Sequence, residues 1–425
     1  MLASSTGAAP SVVQVRQSSG GGWQLLRNGE AHIVRGAGVA RTEELKLLRT
    51  LGGTTIRTWT ADALERQFDG RSLIDRADAL ELTVVAGLLV RRAGPDFDYH
   101  DQAKVRRQRD EILATVRRYK GHPALLMWGL GNEMEGQGAV GSDPQIWREL
   151  NVIATLIKSE DANHPIVTAI AGTGQAKITA ILEHYPALDV LGVNVYGGAA
   201  RAGATVVARG WTKPYLLTEY GPTGPWETAK TPWGASIEQT AEHKAERYLA
   251  AALAAETAPS CLGALAFLWG HSGALATTAT WFGLLLPGGE KLPAADTLAH
   301  VWTGRWPLNR SPRIDALEVA FAGARVRGGQ TVDVAVVARD EENDSLRYSW
   351  AIVPERTLPA HGDSDAMPAP LADSVVRQEG GRATLRLPQA KGAYRLFCYV
   401  RDGAGGANVR NVPFFVEGSV ADKAP

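Results

Sequence analysis

Leu125-Leu126-Met127-Trp128-Gly129-Leu130-Gly131-Asn132-Glu133 is an apolar run that stops on an amide and a carboxylate. Residues 104–119 before it and 146–159 after it are amphipathic helical runs, and 166–171 is apolar again. A short apolar run between two helical runs reads as a strand buried on both faces, and strands alternating with helices make a parallel sheet. Working outward, further strand-like runs lie at 33–39, 54–59, 83–90, 190–196, 215–220 and 262–269, with helical runs at 43–51, 72–80, 178–184 and 237–255. Eight strands in about 275 residues match the size and count of a (β/α)8 barrel. A doubly wound open sheet is the alternative, but Arg35-Gly-Ala-Gly38 lacks the third glycine of a phosphate-binding turn.

The expected fold is therefore α/β: a (β/α)8 TIM barrel over 32–306, followed by a small all-β, immunoglobulin-like sandwich. Residues 1–31 contain two strand-like stretches and the turn dipeptide Asn28-Gly29, and read as a β-hairpin leading into the barrel. After Trp306 the helical period disappears. Short alternating runs at 331–338, 346–352, 383–387, 394–400 and 412–416 make 312–418 a sandwich. Its acidic turn, Asp340-Glu-Glu-Asn-Asp344, reads as a solvated turn, or as a structural Ca²⁺ site completed by Asp402.

Composition narrows the function. The 425 residues hold 45 Lys+Arg and 45 Asp+Glu, so no bulk positive field favours nucleic acid, and neutral substrates are the easier match. Arg106-Arg107 and Arg117-Arg118 read as the solvated face of one helix. No apolar run is long enough to span a bilayer. Cys261 and Cys398 are far apart and read as buried thiols, so there is no disulfide framework. The first residues lack a basic stretch followed by an apolar one. The expectation is a periplasmic or extracellular protein whose signal peptide is absent from this sequence, with a cytoplasmic protein as the alternative. Of twelve tryptophans, eleven precede residue 307 and several fall in loop-like segments, where flat sugar faces are common partners for such rings.

In a (β/α)8 barrel the chemistry lies at the C-terminal ends of the strands. Those ends carry Arg57 and Trp59, Asn132 and Glu133, Asn194 and Tyr196, Glu219, and Trp269. Glu133 and Glu219 alone could each be salt-bridged rim residues. Together they are the carboxyl pair that glycoside hydrolysis needs, one to protonate the leaving oxygen and one to attack or stabilise C1. Arg57 near one glutamate would keep it charged, Tyr196 could donate to the same group, and Asn132 could grip a sugar hydroxyl. Trp59, Trp211, Trp226, Trp233 and Trp281 are candidate sugar platforms, Trp226 and Trp233 foremost because their flanks read as loop.

Gly131-Asn132-Glu133, followed by Leu217-Thr218-Glu219-Tyr220-Gly221, resembles the clan A retaining glycosidases with (β/α)8 barrels. The resemblance implies Glu133 as acid/base and Glu219 as nucleophile, with Arg57, Tyr196 and Trp269 at the clan's binding positions. The Thr-Glu-Tyr-Gly stretch is similar both to the catalytic domain of glycoside hydrolase family 2 and to the β-1,3-glucanosyltransferases of family 72. It implies a retaining β-glycoside hydrolase or transglycosylase on β-linked oligo- or polysaccharide, β-glucan by the family 72 likeness, with no cofactor. The chain lacks the β-domains that precede the barrel in family 2 and the cysteines of family 72. The tail resembles polycystic-kidney-disease-type modules. The alternative is a carbohydrate-binding protein with an inactive barrel. A metal-dependent barrel hydrolase is disfavoured because the nine histidines are scattered, with His32 alone near the first strand.

Overall fold

The computed structural model describes residues 9–39, 44–135, 141, 143–271, 277–356 and 367–418; residues 1–8 of the expected N-terminal segment fall outside them. The chain divides into two compact units, Met1–Tyr220 with Ala250–Phe267, and Gly221–Leu249 with Leu268–Pro425.

The first unit opens with an antiparallel sheet of β1 (Val13–Gln17), β2 (Trp23–Arg27) and β3 (Glu30–His32). Asn28 and Gly29 both take positive φ, 54° and 85°, as the tight β2–β3 turn requires. The barrel strands are β4 (Val34–Val39), β5 (Thr55–Arg57), β8 (Thr83–Leu88), β9 (Leu125–Asn132), β10 (Ile166–Ala171), β11 (Val190–Val195), β12 (Tyr215–Tyr220) and β13 (Cys261–Trp269). The small hairpin β6 (Gln67–Phe68) and β7 (Arg71–Ser72) sits between β5 and β8 in the chain. The eight strands close into a barrel in sequence order. Helices α1 (Leu45–Thr50), α2 (Leu73–Ala79), α3 (Gln102–Tyr119), α4 (Pro144–Glu160), α5 (Gln175–His184), α6 (Ala202–Ala208) and α7 (Ala241–Thr257) follow successive strands. Asp101 and Asp143 cap α3 and α4 by accepting from the backbone N–H groups of the first turn. Strands β9, β10 and β12 run as the apolar pattern indicates.

At the N-terminal end of the barrel, Val13 and Leu25 join one buried cluster with Val34, Val85, Leu126, Val167, Val190, Leu216 and Leu262. The leading sheet thus plugs that end. Ser11, His164 and Asp161 are buried beside it, Ser11 Oγ 2.9 Å from His164 Nε2 and His164 Nδ1 2.8 Å from Asp161. They are the residue types of a nucleophile triad, but the Ser11 hydroxyl donates to the Leu125 carbonyl at 2.6 Å, and the set ties strand starts together. Polar groups at this face serve stability.

The second unit holds helix α8 (Pro293–Thr303), with strands β14 (Arg313–Glu318), β15 (Arg325–Val326), β16 (Thr331–Arg339), β17 (Arg347–Pro354), β18 (Val375–Glu379), β19 (Arg382–Arg386), β20 (Gly392–Arg401) and β21 (Ala407–Val416). Two four-stranded sheets, ordered β14-β16-β19-β18 and β15-β21-β20-β17, share a core of Val334, Val336, Trp350, Ile352, Leu385, Leu396 and Phe414. Gly221–Leu249 packs within this unit. Buried Arg395 on β20 bonds the Glu355 carboxylate, Asn411 and the Ser236 carbonyl, and Glu238 accepts from Lys244, Thr278, Thr280 and Asn411. The segment after β12 is therefore built into the sandwich. Cys261 and Cys398 are free thiols. Among the described residues no helix is long and apolar enough to cross a membrane.

Candidate active site

At the C-terminal ends of the barrel strands, eight side chains of the first unit form one hydrogen-bonded set. Glu219 lies in β12 and is almost fully buried. Its Oε1 accepts from Arg57 Nη1 at 2.8 Å and from the Trp59 indole N–H at 2.7 Å. Its Oε2 accepts from the Tyr196 hydroxyl at 2.8 Å. An ionised carboxylate is acceptor-only and suits three converging donors.

The second Arg57 nitrogen donates to Asn132 Oδ1 at 2.7 Å, and Asn194 Nδ2 donates to the same oxygen at 2.9 Å. Asn194 Nδ2 also donates to Glu133 Oε1 at 2.9 Å. The Asn194 amide is oriented by Thr218, whose hydroxyl donates to Asn194 Oδ1 at 2.7 Å. With its oxygen doubly engaged, Asn132 has its N–H2 left to donate to a hydroxyl.

Glu133 follows β9 in the left-handed region, φ 50°, after Gly131 at φ 74°. A non-glycine residue there is uncommon and is held only where surrounding structure enforces it. The Glu133 N–H donates to the Ala169 carbonyl of β10 at 2.8 Å, which anchors the turn. A Cβ on Gly131 would also stand 2.8 Å from Met134 Cγ.

The two carboxyl groups differ in electrostatics. Burial pushes the Glu133 carboxyl above the usual carboxylate range, and the charge of Glu219 and then of Glu135 push the same way. The Asn194 bond and Arg92 oppose them without prevailing. One carboxyl accepts three donors, including a guanidinium, while the other accepts one amide. That asymmetry can keep one group as nucleophile and the other as proton donor.

Trp59 lies just past β5, under the Arg57 guanidinium at 5.4 Å. Its space comes from Gly38 on β4, where a Cβ would stand 2.6 Å from the indole ring. The Arg35-Gly-Ala-Gly38 run thus admits a ring. Phe267 on β13 meets both Trp59 and Tyr196 edge-to-face, at 5.7 and 5.8 Å. Sequence reading missed Phe267, an aromatic inside an aliphatic strand, and Thr218, beside the more conspicuous Glu219. It also missed Arg92, which donates to the Asn132 carbonyl at 3.1 Å.

The other expected platforms differ. Trp226, Trp233 and Trp269 belong to the second unit. Trp226 is half-exposed against Phe282, Trp233 packs on Phe415, and Trp269 ends β13 with its ring enclosed by protein. Trp211 and Trp281 are core residues, contrary to the platform reading: both are buried, and their indole N–H groups are spent on the carbonyls of Pro214 and Thr223. Among the described residues no group of three or more His, Cys, Asp or Glu side chains could hold a metal. Asp340 and Asp402, proposed for Ca²⁺, each accept backbone N–H groups of their own turns, and Asp402 also accepts from Asn309.

The described fold is similar to several solved enzymes. Bacteroides uniformis beta-glucuronidase 2, covalently bound to cyclophellitol-6-carboxylate aziridine, superposes with TM-score 0.51 at 14% identity over 96% of this chain and 48% of its own. The beta-D-glucuronidase of Dictyoglomus thermophilum gives 0.50 at 16%, over 70% and 54%. The beta-galacturonidase from Eisenbergiella tayi, bound to galacturonate, gives 0.51 at 16%, over 69% and 54%. This chain thus spans about half the length of the structures it resembles, and at such identities the likeness is one of fold. No curated protein matches the chain. Residues 72–248, the span that holds both carboxylates, match the family model described as glycosyl hydrolases family 2, TIM barrel domain.

Proposed function

We propose that this protein is a retaining β-glycoside hydrolase acting by double displacement. The observation that carries the reading is the asymmetry between Glu219 and Glu133 within one hydrogen-bonded set. Glu219 attacks C1 of the bound sugar while Glu133 gives its proton to the departing oxygen, and a covalent glycosyl-enzyme forms. Glu133, now a carboxylate, takes a proton from water as water attacks C1, and the anomeric configuration is retained. Arg57, Trp59 and Tyr196 hold Glu219 in line and, as its charge passes into the ester, stabilise it again on release. The Asn132 amide grips a hydroxyl beside the bond being cut. A retaining pair implies carboxyl groups about 5–5.5 Å apart.

The substrate class is a β-linked oligo- or polysaccharide. β-Glucan follows from the sequence likeness to family 72, and uronides from the fold likeness to beta-glucuronidases and a beta-galacturonidase. Trp226, exposed in the second unit, is proposed as a sugar-stacking residue of that unit. The test is a product screen by mass spectrometry over β-glucan, galactan, mannan and xylan oligosaccharides plus aryl β-glucuronides and β-galacturonides. Wild type should shorten one class, and Glu219→Gln should not. Products longer than the input would make it a transglycosylase. Binding without cleavage, followed by Trp fluorescence, would replace the hydrolase reading with a sugar-binding barrel.

A further inference from the structure

The segment between β8 and α3 holds two consecutive arginines with separate fates. Arg91 is clamped through its backbone: its N–H donates to the Gln108 side-chain carbonyl at 2.7 Å, and its carbonyl accepts from the Tyr99 hydroxyl. Gln108 is fully buried on α3 and Tyr99 is buried in the loop. The Arg91 side chain turns outward to Glu111 at 2.9 Å and lies 6.0 Å from the Phe97 ring. Phe97 in turn packs edge-on to Tyr99 at 5.0 Å, and its backbone pairs with Gly94 in both directions. A loop tied at this many points has little freedom, so the residue after Arg91 leaves the backbone in a fixed direction.

That residue is Arg92, whose Nη2 donates to the carbonyl of Asn132 at 3.1 Å. This carbonyl belongs to the peptide joining Asn132 to Glu133, the peptide that feeds the left-handed conformation of Glu133. The Glu133 N–H, on the other side of the same peptide, is bound by Ala169. The peptide is therefore gripped at both polar atoms, by β10 through the backbone and by Arg92 through a side chain.

We infer that Arg92 is a positioning residue for the acid at Glu133, holding the Asn132–Glu133 peptide so that the carboxyl stays in its turn and faces the departing oxygen. This rests on the glycosidase reading above. The charged groups acting on Glu133 are Glu219 on β12, Glu135 two residues on, and Arg92. Arg92 alone among these three favours the ionised form, so its loss shifts Glu133 further toward the protonated form.

The experiment compares kcat/KM for two β-glycosides of the sugar that wild type cleaves, one with a dinitrophenyl leaving group and one with an alkyl leaving group that needs full protonation. Arg92→Ala should lose about 10–100-fold on the alkyl glycoside and little on the dinitrophenyl one, since misplacing a general acid costs only the steps that need its proton. The alkaline limb of the alkyl profile should move to higher pH. Arg92→Lys, which keeps the charge and a donor, should recover part of the rate. Arg92→Gln, which keeps a donor without charge, should move the limb while losing less rate than Arg92→Ala. Thermal melts qualify each variant, and the leaving-group ratio is read from whichever of the three folds. Equal losses on both substrates, an unchanged ratio, or a limb that does not move in Arg92→Gln would overturn the inference while leaving the hydrolase reading intact. A wild type that cleaves nothing in the product screen would remove that reading and this inference with it.

Discussion

Glu219 and Glu133 are joined by a continuous path of side chains: Arg57 bonds Glu219 and Asn132, and Asn194 bonds Asn132 and Glu133. Along that path the donors are shared unequally. A change at either carboxyl group is therefore felt by the other, and the two should fail in different ways.

The first difference is stereochemical. With an aryl β-glycoside bearing a good leaving group, Glu133→Ala should still form the glycosyl-enzyme but release it slowly. Added azide should rescue it and yield a β-glycosyl azide. Glu219→Ala should lose on the order of 10⁴-fold or more and, with azide, yield the α-azide. NMR of the products reads the configuration directly.

The second concerns pH. Glu133 must be protonated in the free enzyme, and burial together with the Glu219 charge raises its pKa. The alkaline limb of kcat/KM should thus lie above the ordinary carboxylate range. In Glu219→Gln the like charge is gone but burial remains, so Glu133 should titrate lower yet still above the ordinary range. Carbon-13 NMR of labelled glutamate would follow it. A higher Glu133 pKa in that variant would contradict the coupling.

The third is a stability effect with the sign opposite to activity. A carboxyl whose folded pKa is raised binds its proton more tightly in the native state than in the unfolded one. That contribution is present at low pH and is lost as pH rises through the folded pKa. Glu133→Gln should therefore stabilise the protein at neutral pH and less so in acid, while abolishing turnover of alkyl glycosides. Denaturant melts at two pH values measure it.

The fourth concerns the turn under Glu133. Gly131→Ala adds a Cβ at φ 74°, where it would stand 2.8 Å from Met134 Cγ. It should cost about 1–3 kcal/mol and lower activity further than the stability loss explains. In the second unit, Arg395→Ala should cost about 3–5 kcal/mol, because it leaves the Glu355 carboxylate buried without its partner. Both are read by chemical denaturation.

Much of this was legible in the sequence because parallel strands buried on both faces are written as unbroken apolar runs. Residues 125–132, 166–171 and 215–220 have matching strand limits for that reason. Glu133 and Glu219 were visible as charges that end such runs. Strand β18 was not visible, because Val375–Glu379 is exposed throughout and shows no alternation. Arg92 was hidden because it lies in a loop beside a second arginine, and only the clamp on Arg91 distinguishes them. Trp211 and Trp281 looked like platforms because loop-like flanks say nothing of what covers a ring.

Double displacement requires a covalent bond between Glu219 and the sugar. The direct measurement is peptide mass spectrometry after reaction with the 2-deoxy-2-fluoro dinitrophenyl β-glycoside of the sugar named by the product screen. One fluoroglycosyl group on the Glu219 peptide, released on adding an acceptor and absent in Glu219→Gln, is the result this account requires. A label on Glu133 or any other residue, or steady turnover in Glu219→Gln, would contradict it.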